Sequence, residues 1–168
     1  MNRNNTTPVL PRPAPPDSDT PGSSSVHGRP GPLVRPRLSP TLRVGFLTPA
    51  LVIGGVEHWL LGLLQNTTGQ LSWSVAVTNS VAIEPEIRRA VEEFGEVVTG
   101  EPAIAALAAS ADVMLAWGVS GLAPLLKDFA GPIVQVSHGC GAWTESFLAA
   151  NREVTTHSVA VSRVAATG

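Results

Sequence analysis

Short apolar runs alternate along the chain with segments whose apolar residues recur three and four positions apart. The runs that begin at Val44, Val113 and Ile133 are short and rich in β-branched residues, which is typical of strands buried on both faces. Strand and helix patterns alternate six times. We therefore expect a doubly wound α/β domain with a parallel sheet of about six strands and helices on both faces.

The pattern also gives approximate element bounds. The first helix should follow Gly54-Gly55 directly, because Val56, Trp59, Leu60, Leu63 and Leu64 form one apolar stripe. Strands are predicted at 44–47, 73–78, 96–99, 112–117, 133–137 and 158–162. The later helices are predicted at 84–94, 102–109, 120–129 and 143–150.

Composition separates an N-terminal tail, residues 1–41, from this domain, residues 42–168. The tail holds ten of the fifteen prolines, five arginines and two aspartates, with almost no apolar run. Such a segment cannot bury enough surface to offset its ordering entropy, so it is predicted to be disordered. The tail lacks the apolar core of a secretory signal, and no run in the chain is long enough for a membrane span.

Charge and cysteine content exclude further classes. The tail carries +3 and the domain −5, which sum to the net charge of −2, and the domain has no basic stripe of the kind that binds nucleic acid. The scattered tail arginines leave weak contact with an anionic membrane surface open beside a simply solvated tail. The single cysteine, Cys140, excludes a disulfide framework and favours a reducing compartment, the cytoplasm.

Gly54 and Gly55 are the first candidate site residues. Two glycines between a strand and a helix can bring backbone N–H groups close to a phosphate at the positive end of the helix, or they can simply make the turn. Glu57 lies in the first helical turn, where a carboxylate is favourable on dipole grounds alone. The loop is neither G-x-G-x-x-G nor G-x-x-x-x-G-K-[ST], so nucleotide hydrolysis has no support.

His138 is the candidate catalytic residue. It follows the predicted fifth strand at its carboxyl end, where α/β sites are built, and could accept a proton from a hydroxyl group or simply cap the strand end. Cys140 is too close in sequence to form a nucleophile pair with it, and four scattered histidines predict no metal site. Trp117 and Trp143, at strand ends, are assigned to packing before ligand stacking.

Four segments, RVGFLTPALVIGGVEHWLLGLLQ, ADVMLAWG, PIVQVSHG and HSVAVSRVAA, together resemble the N-terminal domain of family 4 glycosyltransferases. These enzymes have the GT-B architecture of two facing Rossmann-like domains, and the resemblance covers about residues 42–168. It implies that Gly54, Gly55 and Glu57 face the diphosphate of a nucleotide-sugar, and that His138 lines the acceptor side. Ser162 matches the serine that closes the sixth strand of the pattern.

Two features depart from the family pattern. Trp117 stands where the family often has a histidine, and the C-terminal domain with its E-x7-E glutamates is absent from this sequence. The resemblance thus implies the acceptor-side half of a retaining glycosyltransferase, inactive alone, with no cofactor beyond the nucleotide-sugar co-substrate and with a hydroxyl acceptor. A second glycosyltransferase lobe is an expected partner. The alternatives are a non-catalytic Rossmann-like binding module, a truncated remnant or a plain scaffold.

Overall fold

The structure is a computed structural model that describes residues 41–161. Six parallel strands form one sheet in the order β3-β2-β1-β4-β5-β6. Their bounds are β1 Leu42–Thr48, β2 Leu71–Val77, β3 Gly95–Thr99, β4 Val113–Ala116, β5 Ile133–Ser137 and β6 His157–Ala160. The predicted six-stranded, Rossmann-like parallel sheet is confirmed.

Five helices connect these strands within the described residues. They are α1 Gly55–Thr67, α2 Pro85–Glu92, α3 Glu101–Ser110, α4 Leu122–Leu125 and α5 Ala142–Ala150. Each helix begins after the carboxyl end of one strand and returns the chain to the amino end of the next. All five helix N-termini therefore lie at the carboxyl edge of the sheet.

The helices cover both faces of the sheet, as predicted. On one face α1 and α2 pack against the strands, with Phe46, Leu60 and Val91 in one buried cluster. On the other face α3 and α4 pack against Leu47 and Met114 in a second buried cluster. The fifth helix joins that second face, because the side-chain amide of Gln135 in β5 donates to the backbone carbonyl of Phe147 in α5.

The alternation of side chains along β1 explains how one strand serves both clusters. Val44 and Phe46 point toward α1, while Leu47 points toward α3. Phe46 and Leu47 are both fully buried, and burial of each such side chain contributes about 1.5–3 kcal/mol. This explains why the region reads as a continuous apolar run rather than an alternating one.

The loop after β1 is joined to the loop after β2. Leu51 forms an isolated parallel bridge with Ile83. Its N–H donates to the carbonyl of Ala82 at 2.8 Å, and its carbonyl accepts from the N–H of Glu84 at 2.7 Å. The side chain of Leu51 is fully buried. These two loops thus form one hydrogen-bonded unit at the carboxyl edge.

Three sequence predictions need correction or fall outside the described residues. The helix predicted at 120–129 is only Leu122–Leu125, because Gly121 adopts a left-handed conformation before it and the backbone leaves helical geometry at Leu126. Ser162 and all of the predicted tail except residue 41 lie outside the described residues. Among the described residues, no helix is long and apolar enough to cross a membrane.

Candidate functional site

The candidate site lies at the carboxyl edge where β1 and β4 are neighbours. The chain leaves β1 toward β2 on one side, and β4 and β5 follow on the other side, so the strand order reverses between β1 and β4. Loops diverge at such a switch point and leave a crevice in which α/β proteins bind ligands. The connections after β1, β4 and β5 carry the predicted site residues.

Glu57 lies against the Gly54 turn. Gly54 is the N-cap of α1, in extended conformation and with no side-chain cap. The Glu57 side chain folds back over it, so that a Cβ placed on Gly54 would lie 2.8 Å from Oε2 of the carboxylate. Glu57 is only 5% exposed. A negative group therefore occupies the positive end of this helix.

This arrangement bears on the predicted diphosphate cradle. The Gly55 backbone is open, since a Cβ placed there would meet nothing within 4 Å. An anion at the same turn would, however, approach the Glu57 carboxylate, and like charges at close range repel. The geometry of Gly54, Gly55 and Glu57 therefore suits a neutral or cationic group better than a phosphate.

His138 lies directly after β5 and packs between two tryptophan rings. Its ring centroid is 4.6 Å from that of Trp59 in α1 and 6.1 Å from that of Trp117 after β4, both in edge-to-face geometry. Nε2 is buried and has no hydrogen-bond partner among the described residues. Burial lowers the pKa of His138 below the ordinary 6.5, so the imidazole is neutral at neutral pH and able to accept a proton.

The aromatic packing continues from His138 toward solvent. Trp117 contacts Trp143 with ring centroids 5.6 Å apart, and Trp143 contacts Phe147 at 5.0 Å. Trp143, at the start of α5, is 58% exposed. We name the four residues Trp59, Trp117, His138 and Trp143 the aromatic wall. It joins α1, β4, β5 and α5 at one edge of the sheet.

Sequence reasoning found His138 but not the wall around it. Trp59 was assigned to the core stripe, and Trp117 and Trp143 to packing, because periodicity does not show which rings converge. Three of the four tryptophans lie on this edge, each at a strand end or in the first turns of a helix, and that placement was the available signal. Trp59 and Trp117 are both half-buried, whereas Trp143, for which packing is also predicted, is 58% exposed.

Two other candidates take no part in the wall. His58 is exposed, as expected for the polar side of α1, and its Nδ1 lies 2.9 Å from the carbonyl oxygen of Gly54. Cys140 is exposed and forms no disulfide. Residues 41–161 contain no group of three His, Cys, Asp or Glu side chains placed to hold a metal ion.

The carboxyl edge carries negative charge. The first turns of α1, α2, α3 and α5 each contain a glutamate, namely Glu57, Glu86, Glu101 and Glu145. Within 41–161, no lysine or arginine occurs in the loops after the strands or in the first three residues of a helix. Arg89 alone among the described basic residues is seen to reach back toward this edge, to the carbonyl of Pro85 on the β2–β3 side.

Comparison with known proteins gives a distant likeness in fold. No protein-family model matches the chain, and no curated protein matches it. Among solved structures it is similar to the crystal structure of phenylacrylic acid decarboxylase from Aquifex aeolicus, with a TM-score of 0.42 and 10% sequence identity. The likeness covers 73% of this chain and 82% of that chain. It is too distant to carry an activity or a ligand from that protein to this one.

The predicted membership in the family 4 glycosyltransferases is wrong. No family model matches the chain and no curated protein matches it, so neither comparison supports that membership. The described carboxyl edge also lacks the arginines and lysines that commonly hold a diphosphate, and Glu57 stands in the cradle assigned to it. The nucleotide-sugar donor, the hydroxyl acceptor and the second lobe therefore find no support. The non-catalytic module and the remnant gain none from these comparisons either.

Proposed function

We propose that this chain binds a small organic cation, an amine or a quaternary ammonium compound, at the aromatic wall. A cation over the face of an indole ring is attracted by the negative charge of the π-system, and tryptophan is the strongest of the aromatic side chains in this respect. The ligand would lie on the solvent side of Trp117 and Trp143, the outer end of the wall.

One observation carries the proposal. Trp143 is a tryptophan packed into an ordered row of rings and yet 58% exposed, on an edge whose described helices begin with glutamates and without lysine or arginine. Aromatic faces attract a cation, and carboxylates at the same edge disfavour an anion. The positive ends of α1 and α5 oppose this effect, but Glu57 and Glu145 in their first turns offset them.

The residues predicted from sequence take defined roles in this proposal. His138 is neutral at neutral pH, so it does not repel a cation, and its ring packs behind Trp117 in the wall. Glu57 supplies countercharge. Gly54 is covered by the Glu57 side chain, whereas Gly55 leaves the backbone beside it open. Proton transfer by His138 stays a prediction.

Two matched probes test the charge requirement. Choline and its uncharged tert-butyl isostere, dimethylbutanol, have nearly the same shape, so they differ mainly in the cation–π and Coulomb attraction. In a tryptophan fluorescence titration we expect choline to bind about tenfold more tightly than the isostere. Inorganic diphosphate should not bind. Equal binding of the two isosteres, or tighter binding of diphosphate, would overturn the proposal.

Matched tryptophan variants locate the site. Trp143→Ala should abolish choline binding, because it removes the exposed face of the wall. Trp73→Phe is the control, since Trp73 lies in β2, is 5% exposed and bonds Thr67 instead of joining the wall. Loss of binding in both variants would point to general unfolding, which circular dichroism would show, and retention in both would refute the location.

The cytoplasm stays the expected compartment. That expectation rests on the single cysteine, which is exposed and forms no disulfide. Free thiols are usual in proteins that are kept in a reducing environment. Labelling of Cys140 by a thiol reagent in freshly lysed cells would test it, and an oxidised or blocked thiol would contradict it.

A further inference from the structure

Asn151 is a buried residue whose side-chain amide forms hydrogen bonds both to α5 and to the connection after β4. It follows α5 and is 1% exposed. Its Nδ2 donates to the carbonyls of Val119 at 2.6 Å and Phe147 at 2.9 Å, and its Oδ1 accepts from the N–H of Leu122 at 2.9 Å. Both amide hydrogens and the amide oxygen thus have partners, which is costly to lose in a buried position.

The partners of Asn151 belong to the segments that carry the two outer rings of the wall. The connection that leaves β4 at Trp117 contains Val119 and ends where α4 begins at Leu122. Phe147 lies in α5, and its ring packs against Trp143 at 5.0 Å. At the other end of the connection, the N–H of Trp117 donates to the carbonyl of Leu47 at 2.9 Å. The connection is therefore anchored at both ends, once to β1 and once to α5.

We propose that Asn151 is a positioning residue that holds the connection after β4 against α5 and so keeps Trp117 and Trp143 in contact. That contact has a centroid distance of 5.6 Å and an interplanar angle of 61°. A role of Asn151 in ligand affinity rests on the proposed cation site. Its role in placing the two rings does not, because the hydrogen bonds act whether or not a ligand is present.

Gln135 provides a matched control within the same layer. It is also 1% exposed, and its Nε2 donates to the same carbonyl of Phe147 at 3.0 Å. Its Oε1 accepts from the hydroxyl of Thr155 instead of bonding the connection after β4. Loss of either amide should therefore destabilise the core, but only loss of Asn151 releases the segment behind Trp117.

The experiment compares Asn151→Ala with Gln135→Ala in the full chain, at a temperature where both are folded. The first readout is the tryptophan exciton signal in circular dichroism, assigned to the Trp117–Trp143 pair by its loss in Trp143→Phe. Asn151→Ala should lose this signal and bind choline about tenfold more weakly, while Gln135→Ala keeps both within about twofold despite a similar fall in melting temperature. Asn151→Ser, which keeps one donor, serves the same test should Asn151→Ala not fold.

The two proposals fail in different ways. An exciton signal that persists in the Asn151 variant, or that disappears equally in Gln135→Ala, would overturn the positioning role even where choline binds. Wild-type protein that does not bind choline would overturn the cation site, while the exciton comparison would still decide the role of Asn151.

Discussion

The two edges of the sheet differ in whether their polar groups have hydrogen-bond partners and in how much of their apolar side chains is exposed. At the amino edge the Asp112 carboxylate accepts from the Arg43 guanidinium at 2.7 and 3.2 Å and from the Arg43 backbone N–H at 2.8 Å. The indole N–H of Trp73 there donates to the Thr67 hydroxyl at 2.9 Å. At the carboxyl edge the buried Nε2 of His138 has no partner within 41–161.

Apolar side chains show the same contrast. Five large ones stand exposed in the carboxyl-edge loops and the first turn of α5: Val52 at 37%, Ile53 at 67%, Val81 at 89%, Trp143 at 58% and Val161 at 37%. At the amino edge Leu42, at the start of β1, is 47% exposed, whereas Trp73, in the amino half of β2, is 5% exposed. The amino edge is therefore built for stability, and the carboxyl edge holds exposed apolar surface and an unpartnered polar atom of the kind expected at a binding site.

Substitution of tryptophan at the two edges should give the largest contrast in stability. Trp73→Ala should lower the free energy of unfolding by about 3–5 kcal/mol, because it leaves a large cavity and removes the hydrogen bond from the indole to the Thr67 hydroxyl. Trp143→Ala should cost about 1 kcal/mol or less, because its ring is mostly in water. Urea unfolding followed by circular dichroism measures both, and similar costs would contradict the division between the edges.

Glycine substitutions should give the next largest contrast. A Cβ at Gly95, at the amino end of β3, would overlap the backbone carbonyl of Trp73, so Gly95→Ala should cost about 1–3 kcal/mol through backbone displacement. A Cβ at Gly139, beside His138, would meet nothing closer than the Thr144 hydroxyl at 3.7 Å. Gly139→Ala should therefore change stability by less than about 0.5 kcal/mol. Thermal melts of the two variants check this, and the opposite ranking would refute it.

The carboxyl edge should lose stability first as the pH falls. The folded state lowers the pKa of His138 below 6.5, because burial disfavours the imidazolium. The unfolded chain then binds more protons between that lowered pKa and 6.5, so stability falls as the pH falls through this window. Urea midpoints measured from neutral to mildly acidic pH should show the decline, and His138→Gln should remove that part. His58→Gln, on the exposed side of α1, is the control and should leave the decline in place.

The amino edge should respond only in stronger acid, with the smallest effect. Hydrogen bonds from the Arg43 side chain and backbone lower the pKa of Asp112 from 3.8 to about 2. Since the folded pKa is below the unfolded one, the ion pair stabilises the fold above 3.8 and its contribution disappears as the pH falls toward about 2. Both side chains are exposed, so the effect should be slight. Asp112→Asn should abolish this component of acid unfolding, and an unchanged acid profile would contradict it.

Local pattern was sufficient to predict most of the fold. The strand runs at Val44 and Ile133 are apolar because helices cover both faces of the sheet. Consecutive side chains point to opposite faces and are buried on each of them, so the strand is visible in the sequence as an unbroken apolar run. The helix at 120–129 was overestimated because its apolar spacing persists after the backbone has left helical geometry at Leu126. The apolar stripe of α1 predicts Glu57 in the first helical turn, but periodicity does not predict that this carboxylate is only 5% exposed.

The candidate site was less predictable for a related reason. His138 can be found from its place at a strand end, but the contact between Trp59 and His138 joins residues that are 79 positions apart in the sequence. A single sequence does not show such pairs. The resemblance to glycosyltransferases misled for the same reason, because it depends on local sequence patterns. Short strand and glycine patterns describe the turn after β1 but do not show which charged groups surround it.

The bridge between Leu51 and Ile83 has a consequence for anyone who wishes to diversify this protein. Inserting or deleting a residue in either of these two joined loops would disrupt two main-chain hydrogen bonds and would lower stability rather than change specificity. Positions 139 and 140, which form no such bond to another loop among the described contacts, are better places for randomised libraries, whereas Gly141 has a φ of 100° that strains other residues. New ligand preferences on this scaffold should accordingly arise by variation of the loop after β5, while the joined loops after β1 and β2 stay constant.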